Sequence, residues 1–239
     1  MGYIQSGVAN DLVVVDRTPA AMRVTFRPNE ITGSYRASLV SSTITFSNIT
    51  SANGILYTFK YYGTGVCIVR SVRIGLQIIA TGFTTTARPS FALYRVPTSF
   101  TQGTTGGTLY GVGGGISISN KKRTSMPTPE TAAVIYASGA GITGDTATTE
   151  DTAAYAQVIL GGAASTVTTF PQAGLRGFFT AERSADVGVD VADMAAHPLI
   201  LAASEGFRIK NDAAFIGGTT GAGTAALVVT VEWDEATAY

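Results

Sequence analysis

Apolar and polar residues alternate along much of this chain with a period of two. Near the C-terminal end, Leu227, Val229, Val231 and Trp233 share one parity while Val228, Thr230 and Glu232 take the other. Such alternation, rich in β-branched and aromatic side chains, predicts a half-buried strand. Phe207 and Ile209 alternate with Arg208 and Lys210 in the same way, and the two runs read as antiparallel partners across the glycine-rich stretch 217–224. Earlier rows repeat the pattern. Met22, Val24 and Phe26 form one row, stopped by Pro28, which cannot donate to a sheet ladder. Ile55, Tyr57, Phe59 and Tyr61 form another, ended by Gly63 and Gly65. Shorter Ser/Thr-rich strands are expected over 35–40 and 42–46, with a turn at 51–54 and a further strand over 91–96.

The longest strand is predicted from Val66 to Ile78, where Arg70 interrupts the apolar face. That arginine stands either at a bulge or opposite a carboxylate. From 99 to 120 glycine dominates, and a wide flexible loop is expected. Its Gly111-Val112-Gly113-Gly114-Gly115 string lacks the lysine and following helix of a phosphate-cradling loop. Residues 130–169 are rich in Ala, Thr, Gly and Ser, with 132–136 and 153–160 readable as strands or short helices. Residues 177–182 and 186–194 lead from there into the C-terminal pair.

These elements predict an all-β fold: an antiparallel β-sandwich, jelly-roll-like, with long Gly/Thr/Ala-rich loops and an N-terminal arm. At 239 residues the chain fits one large sandwich. The expected division is an arm over 1–19 and a single domain over 20–239, with a loop-rich insertion around 99–170. In the arm Tyr3, Ile4, Leu12, Val13, Val14 and Val15 are apolar, but Gly2, Gly7, Asn10 and Asp11 break any period. Such a segment either packs on its own domain or lies across a neighbour.

Charge changes the picture more than size does. Charged residues make up 13%, about half of the usual share of about 25%, and 16 basic residues balance 16 acidic ones. A near-neutral, charge-poor surface favours association. It lacks the basic excess expected of a nucleic-acid binder, and Lys121-Lys122-Arg123 is an isolated basic cluster. No apolar run is long enough for a membrane helix, and the first ten residues lack the basic and apolar regions of a signal peptide. The protein is therefore expected to be made in the cytosol, which discounts the sequon at Asn48. Cys67 is the single cysteine, excluding an internal disulfide, and reads as a small buried hydrophobe.

Candidate chemistry is sparse. His197 precedes Pro198 at the entry to an apolar strand, where a structural role is the plain reading, and no serine stands in a nucleophile elbow. Glu182, Asp186, Asp190 and Asp193 cluster without the spacing of a calcium loop. Glu130, Asp145, Glu150 and Asp151 offer carboxylate pairs of the kind used in glycoside hydrolysis, but any chain with 16 acidic residues offers such pairs. Tyr61, Tyr62 and Tyr110 are candidates for stacking on sugars. No cofactor, metal or catalytic residue is expected.

Three segments together resemble a family of virion structural proteins of tailed bacteriophages. One is Ala21-Met22-Arg23-Val24-Thr25-Phe26-Arg27-Pro28 followed by Gly33-Ser34-Tyr35-Arg36; a second is Lys122-Arg123-Thr124-Ser125-Met126. The third is His197-Pro198-Leu199 with Glu205-Gly206-Phe207, then Val229-Thr230-Val231-Glu232-Trp233-Asp234-Glu235. The resemblance implies a β-sandwich of the particle without an enzymatic role. The leading expectation is a capsid decoration (cement) protein in the virion. It would bind the major capsid protein as a homo-oligomer, a trimer among the closed forms, and engage neither nucleic acid nor membrane. The arm residues Tyr3, Ile4, Leu12, Val13, Val14 and Val15 are the expected interface. Rival expectations are a neck, tail or head-fibre component, a host-glycan-binding module and, last, a glycan-degrading hydrolase.

Overall fold

The computed structural model describes residues 4–5, 12–13, 31–45, 54–80, 90–118, 120–121, 126–145, 149–159, 173–180, 198–212 and 223–237. Their regular elements are all strands: β1 (Ile4–Gln5), β2 (Leu12–Val13), β3 (Ile31–Val40), β4 (Ile44–Thr45), β5 (Ile55–Tyr61), β6 (Val66–Ala80), β7 (Ser90–Val96), β8 (Gly107–Gly111), β9 (Asn120–Lys121), β10 (Thr131–Tyr136), β11 (Ala156–Ile159), β12 (Ala173–Thr180), β13 (Leu199–Leu201), β14 (Gly206–Asn211) and β15 (Thr224–Ala236). A six-stranded sheet runs β11-β7-β14-β5-β10-β8. A seven-stranded sheet runs β12-β6-β15-β3-β9, with β13 beside β12 on β6 and β4 beside β3 on β15. Every ladder is antiparallel, and the two sheets pack face to face as the expected β-sandwich.

The pairings nest. β3 pairs with β15, β5 with β14, β6 with β13 and β12, β7 with β11, and β8 with β10. Strands from the first half thus meet strands from the second in reverse order, which is the jelly-roll manner of rolling one long antiparallel ribbon into two layers. The innermost pair, β8 and β10, joins the six-stranded sheet beside β5.

Predicted inward rows become the core. Tyr57, Phe59 and Tyr61 of β5, Val229, Val231 and Trp233 of β15, and Val72, Ile74 and Leu76 of β6 are all buried. Aromatic rings link the layers. Trp233 lies 5.5 Å from Tyr35 within its own sheet and meets Phe59 of the other edge-on at 5.3 Å. Phe59 in turn stacks on Phe207 at 5.1 Å. Aromatic pairs at such separations contribute beyond their buried area.

One expected pairing is corrected. β14 and β15 are not ladder partners: β14 lies between β5 and β7, and β15 lies between β6 and β3 in the opposite sheet. Both present apolar faces to one core, so alternation alone is equally satisfied by facing and by pairing. At Arg70 both alternatives hold. The register of β15 against β6 passes from Ser71 to Val69, leaving Arg70 as the extra residue of a bulge, and its guanidinium pairs with Asp234.

The expected loop over 99–120 is corrected as well, since it contains β8. Its glycines build a tight turn: Gly111 and Gly113 have φ of 86° and 78°, Gly114 N–H donates to Gly111 O at 3.0 Å, and Gly111 N–H donates to Ile116 O at 2.8 Å. Residues 132–136 fall in strand β10, and of the segment 153–160 residues 156–159 form strand β11. The predicted strand over 22–26 lies outside the described residues.

Burial constrains ionisation at the end of the core. The hydroxyls of Tyr35 and Tyr61 are pushed up to about 12, first by burial and then by the nearby carboxylates of Glu235 and Glu130. Burial pushes Tyr57 in the same direction. A folded-state pKa above the ordinary value of 10 contributes stability that is intact below pH 10 and is lost as pH climbs towards 12. Urea midpoints should therefore fall steeply from pH 9.5 to about pH 12, and the double variant Tyr35→Phe, Tyr61→Phe should flatten that fall.

Candidate functional site

The densest set of polar side chains lies on the outer face of the six-stranded sheet. Because Phe207 and Ile209 point into the core, Arg208 and Lys210 of β14 point out, and so do Thr58 and Lys60 of β5. A polar outer row would ordinarily be solvated, yet all four residues are buried. Two connecting segments cover them, one running from β7 to β8 and carrying Phe100 and Gln102, the other running from β10 to β11 and carrying Asp145 and Glu150.

Arg208 is the hub. Its guanidinium stands 2.8 Å from Asp145 Oδ2 and 3.4 Å from Glu150, with its side chain 6% exposed. Glu150 also pairs with Lys210. Asp145 Oδ1 accepts from the Gly103 N–H, tying the two covering segments to each other. Phe100 lies over the array, its ring centroid 5.3 Å from the Arg208 guanidinium and 5.4 Å from Lys60 Nζ. Lys60 Nζ sits 4.4 Å from the Tyr62 ring and donates to Phe100 O, while Lys210 Nζ lies 5.1 Å from the Tyr94 ring. Cations over aromatic faces recover part of what they lose on leaving water. Burial nonetheless pushes the Lys60 ammonium below its ordinary value. Gln102 completes the cover, donating to Thr58 Oγ1 at 3.0 Å and to Ala132 O at 3.3 Å and accepting from Tyr62 OH at 3.3 Å.

Chemically the array is a clasp. Each acid faces a guanidinium or an ammonium, and the interactions fasten two long connections onto a sheet. Gly206, opposite Lys60, leaves the space under Phe100. A Cβ there would stand 2.1 Å from Phe59 O and 2.8 Å from the Phe100 ring. Gly206→Ala is accordingly expected to destabilise the protein by about 1–3 kcal/mol in denaturant titration.

Of the carboxylates singled out from the sequence, the structure brings Asp145 and Glu150 together on Arg208. It places Glu130 elsewhere, at the end of the core, and gives Asp151 a backbone N–H bond to Arg95 O. The sugar-stacking candidates divide: Tyr61 is buried in the core, as its inward row predicts and against a stacking role, Tyr110 is partly buried against it, and Tyr62 is 41% exposed. In the arm, Ile4 pairs with Val13 and Gln5 with Leu12. Tyr3, Val14 and Val15 lie outside the described residues, as do His197 and the acidic set Glu182, Asp186, Asp190 and Asp193. Among the described residues no group of three or more His, Cys, Asp or Glu is placed to hold a metal ion, and no helix is long and apolar enough to cross a membrane. Cys67 is buried as expected, and burial pushes its thiol well up.

Glu235 is a functional candidate that the sequence analysis does not single out. It is 3% exposed at the end of β15 and accepts from the backbone N–H of Glu130 and from the Trp233 indole. The parity of Val229, Val231 and Trp233 continues to it, so an inward carboxylate is readable once the strand is extended by two residues. No protein-family model, no curated protein and no solved structure matches this chain.

Proposed function

We propose that the protein is a structural component of a tailed-bacteriophage virion, foremost a decoration protein that binds across major capsid subunits. The sequence resemblance over three segments suggests the family. The observation that carries the reading further is the combination of a jelly-roll-like sandwich with two N-terminal strands that pair with each other. β1 and β2 pair with each other and are in neither main sheet. A sandwich preceded by strands that pair outside both main sheets suits a protein that sits on one subunit and reaches the next. The low charge and zero net charge are in keeping with a surface that is covered in use. Burying apolar area across subunit joints stabilises a shell by mass action, because the bound protein favours only the assembled state.

The deciding experiment is the copy number of this chain in purified particles, by quantitative mass spectrometry against the major capsid protein. A ratio near one, or a simple fraction, is expected. A handful of copies would move the protein to the neck, tail or a head fibre, and absence from particles would overturn the virion assignment. Deleting residues 2–16 should weaken binding to preformed shells at least tenfold while leaving the thermal transition of the sandwich in place. Unchanged affinity would remove the arm from the interface.

A further inference from the structure

At one end of the sandwich, residues 126–130 cross from the seven-stranded sheet to the six-stranded sheet as a strap leading into β10. Met126 packs on the core, and its sulfur accepts from the Ser34 N–H at 3.3 Å. Pro127 O accepts from Tyr35 OH at 3.1 Å, and Glu130 O accepts from the Tyr62 N–H at 2.7 Å. The remaining tie is made by Glu235, whose two carboxylate oxygens lie 3.0 and 3.1 Å from the Glu130 N–H.

Glu235 differs in its company from the acids of the ion pairs. Asp145 and Glu150 face Arg208, Asp234 faces Arg70, and Glu232 faces Arg36. Among the residues whose side chains are described, no Lys or Arg pairs with Glu235. The ionisable groups near it are the Glu130 carboxyl from the strap, Tyr35 from β3, Tyr61 from β5 and Cys67 from β6, and the backbone register sets Lys121 of β9 beside Tyr35. The described neighbours thus leave an anion at this position held by two N–H donors, with a like charge close by.

We propose that Glu235 is the catch of a proton-operated latch: the protonated acid seats the strap over the end of the core, and charging it loosens the strap. Closing the strap withdraws the carboxyl from water, whereas lifting it lets water reach the acid. Proton binding therefore favours the closed form and proton loss the open form. Burial outweighs the hydrogen bonds from Glu130 and Trp233 and pushes the Glu235 carboxyl up, in agreement with that direction.

The reporter is built in, because the sole tryptophan donates its indole N–H to Glu235 Oε1 at 3.2 Å. Trp233 fluorescence of the full chain, followed through the acidic to neutral range, should change with a single midpoint above the ordinary glutamate value. Amide-exchange protection at Glu130, corrected for intrinsic rate, should fall at least tenfold across the same midpoint. Glu235→Gln should abolish both transitions and keep Glu130 protected at neutral pH. Should that variant fail to fold, Glu130→Gln serves instead. It keeps the strap N–H but removes the like charge, and it should move the midpoint to lower pH. A flat wild-type titration, a Glu235→Gln protein that titrates as the wild type does, or an unmoved midpoint in Glu130→Gln would each overturn the latch.

Discussion

Replacing Arg208 with alanine is expected to cost about 3–5 kcal/mol of folding stability, read from urea denaturation followed by far-ultraviolet circular dichroism. The loss comes mainly from what stays behind. Asp145 and Glu150 would remain under their cover, Asp145 without its guanidinium and Glu150 with Lys210 alone. An unpaired charge in such a place is far more harmful than the intact pair is helpful, because the pair itself barely recovers its own desolvation. The double variant Arg208→Met, Asp145→Leu removes both charges and should therefore lie much closer to wild type than the single variant. The coupling between the two sites should reach at least about 1 kcal/mol. Limited proteolysis gives a local readout. In Arg208→Ala the connections around Phe100 and Asp145 should be cut before the strands are, since the clasp fastens both to the sheet. A single variant costing under about 1 kcal/mol would mean that the array is hydrated and adds little.

Trp233→Ala is the other large effect, at about 3–5 kcal/mol by the same measurement. The indole is wholly buried and touches both layers, Tyr35 on its own sheet and Phe59 on the facing one. Truncation opens a cavity between the sheets and removes one of the donors to the buried Glu235 carboxylate. Trp233→Phe separates the two contributions. It keeps a ring between Tyr35 and Phe59 while dropping the N–H, so its loss should be clearly smaller. Equal losses in the two variants would place the cost in the hydrogen bond rather than in packing.

How much of this was readable beforehand depends on the range of the interaction. Parity along a strand is local, so the rows Tyr57-Phe59-Tyr61 and Val229-Val231-Trp233 announce their inward faces without any partner. Sheet membership is not local. β14 and β15 show the same alternation whether they share a ladder or face each other across a core, and the structure chooses the second. The clasp is hidden for a related reason. Arg208 and Lys210 read as a solvated face because nothing near them in sequence says that Phe100, Asp145 and Glu150, about 60 to 110 residues earlier, will cover it. β8 escapes notice because three residues between glycines carry too little pattern, and its pairing with β10 supplies the missing information. Arg70 was visible as an anomaly, and its bulge and its carboxylate both exist.

The position of β15 has a consequence for how the molecule is made. Residues 224–236 are the last of the described strands to leave the ribosome, yet they lie in the middle of their sheet, with β6 on one side and β3 on the other. Until they emerge, β3 and β6 have no strand to join them, and their apolar faces must wait exposed. Pairings that span nearly the whole chain also require the largest loop closures, which slows folding. Productive folding of the seven-stranded layer therefore waits for residues 224–236, and a chain stopped before residue 224 would present two unjoined sheet edges to chaperones, proteases and other copies of itself.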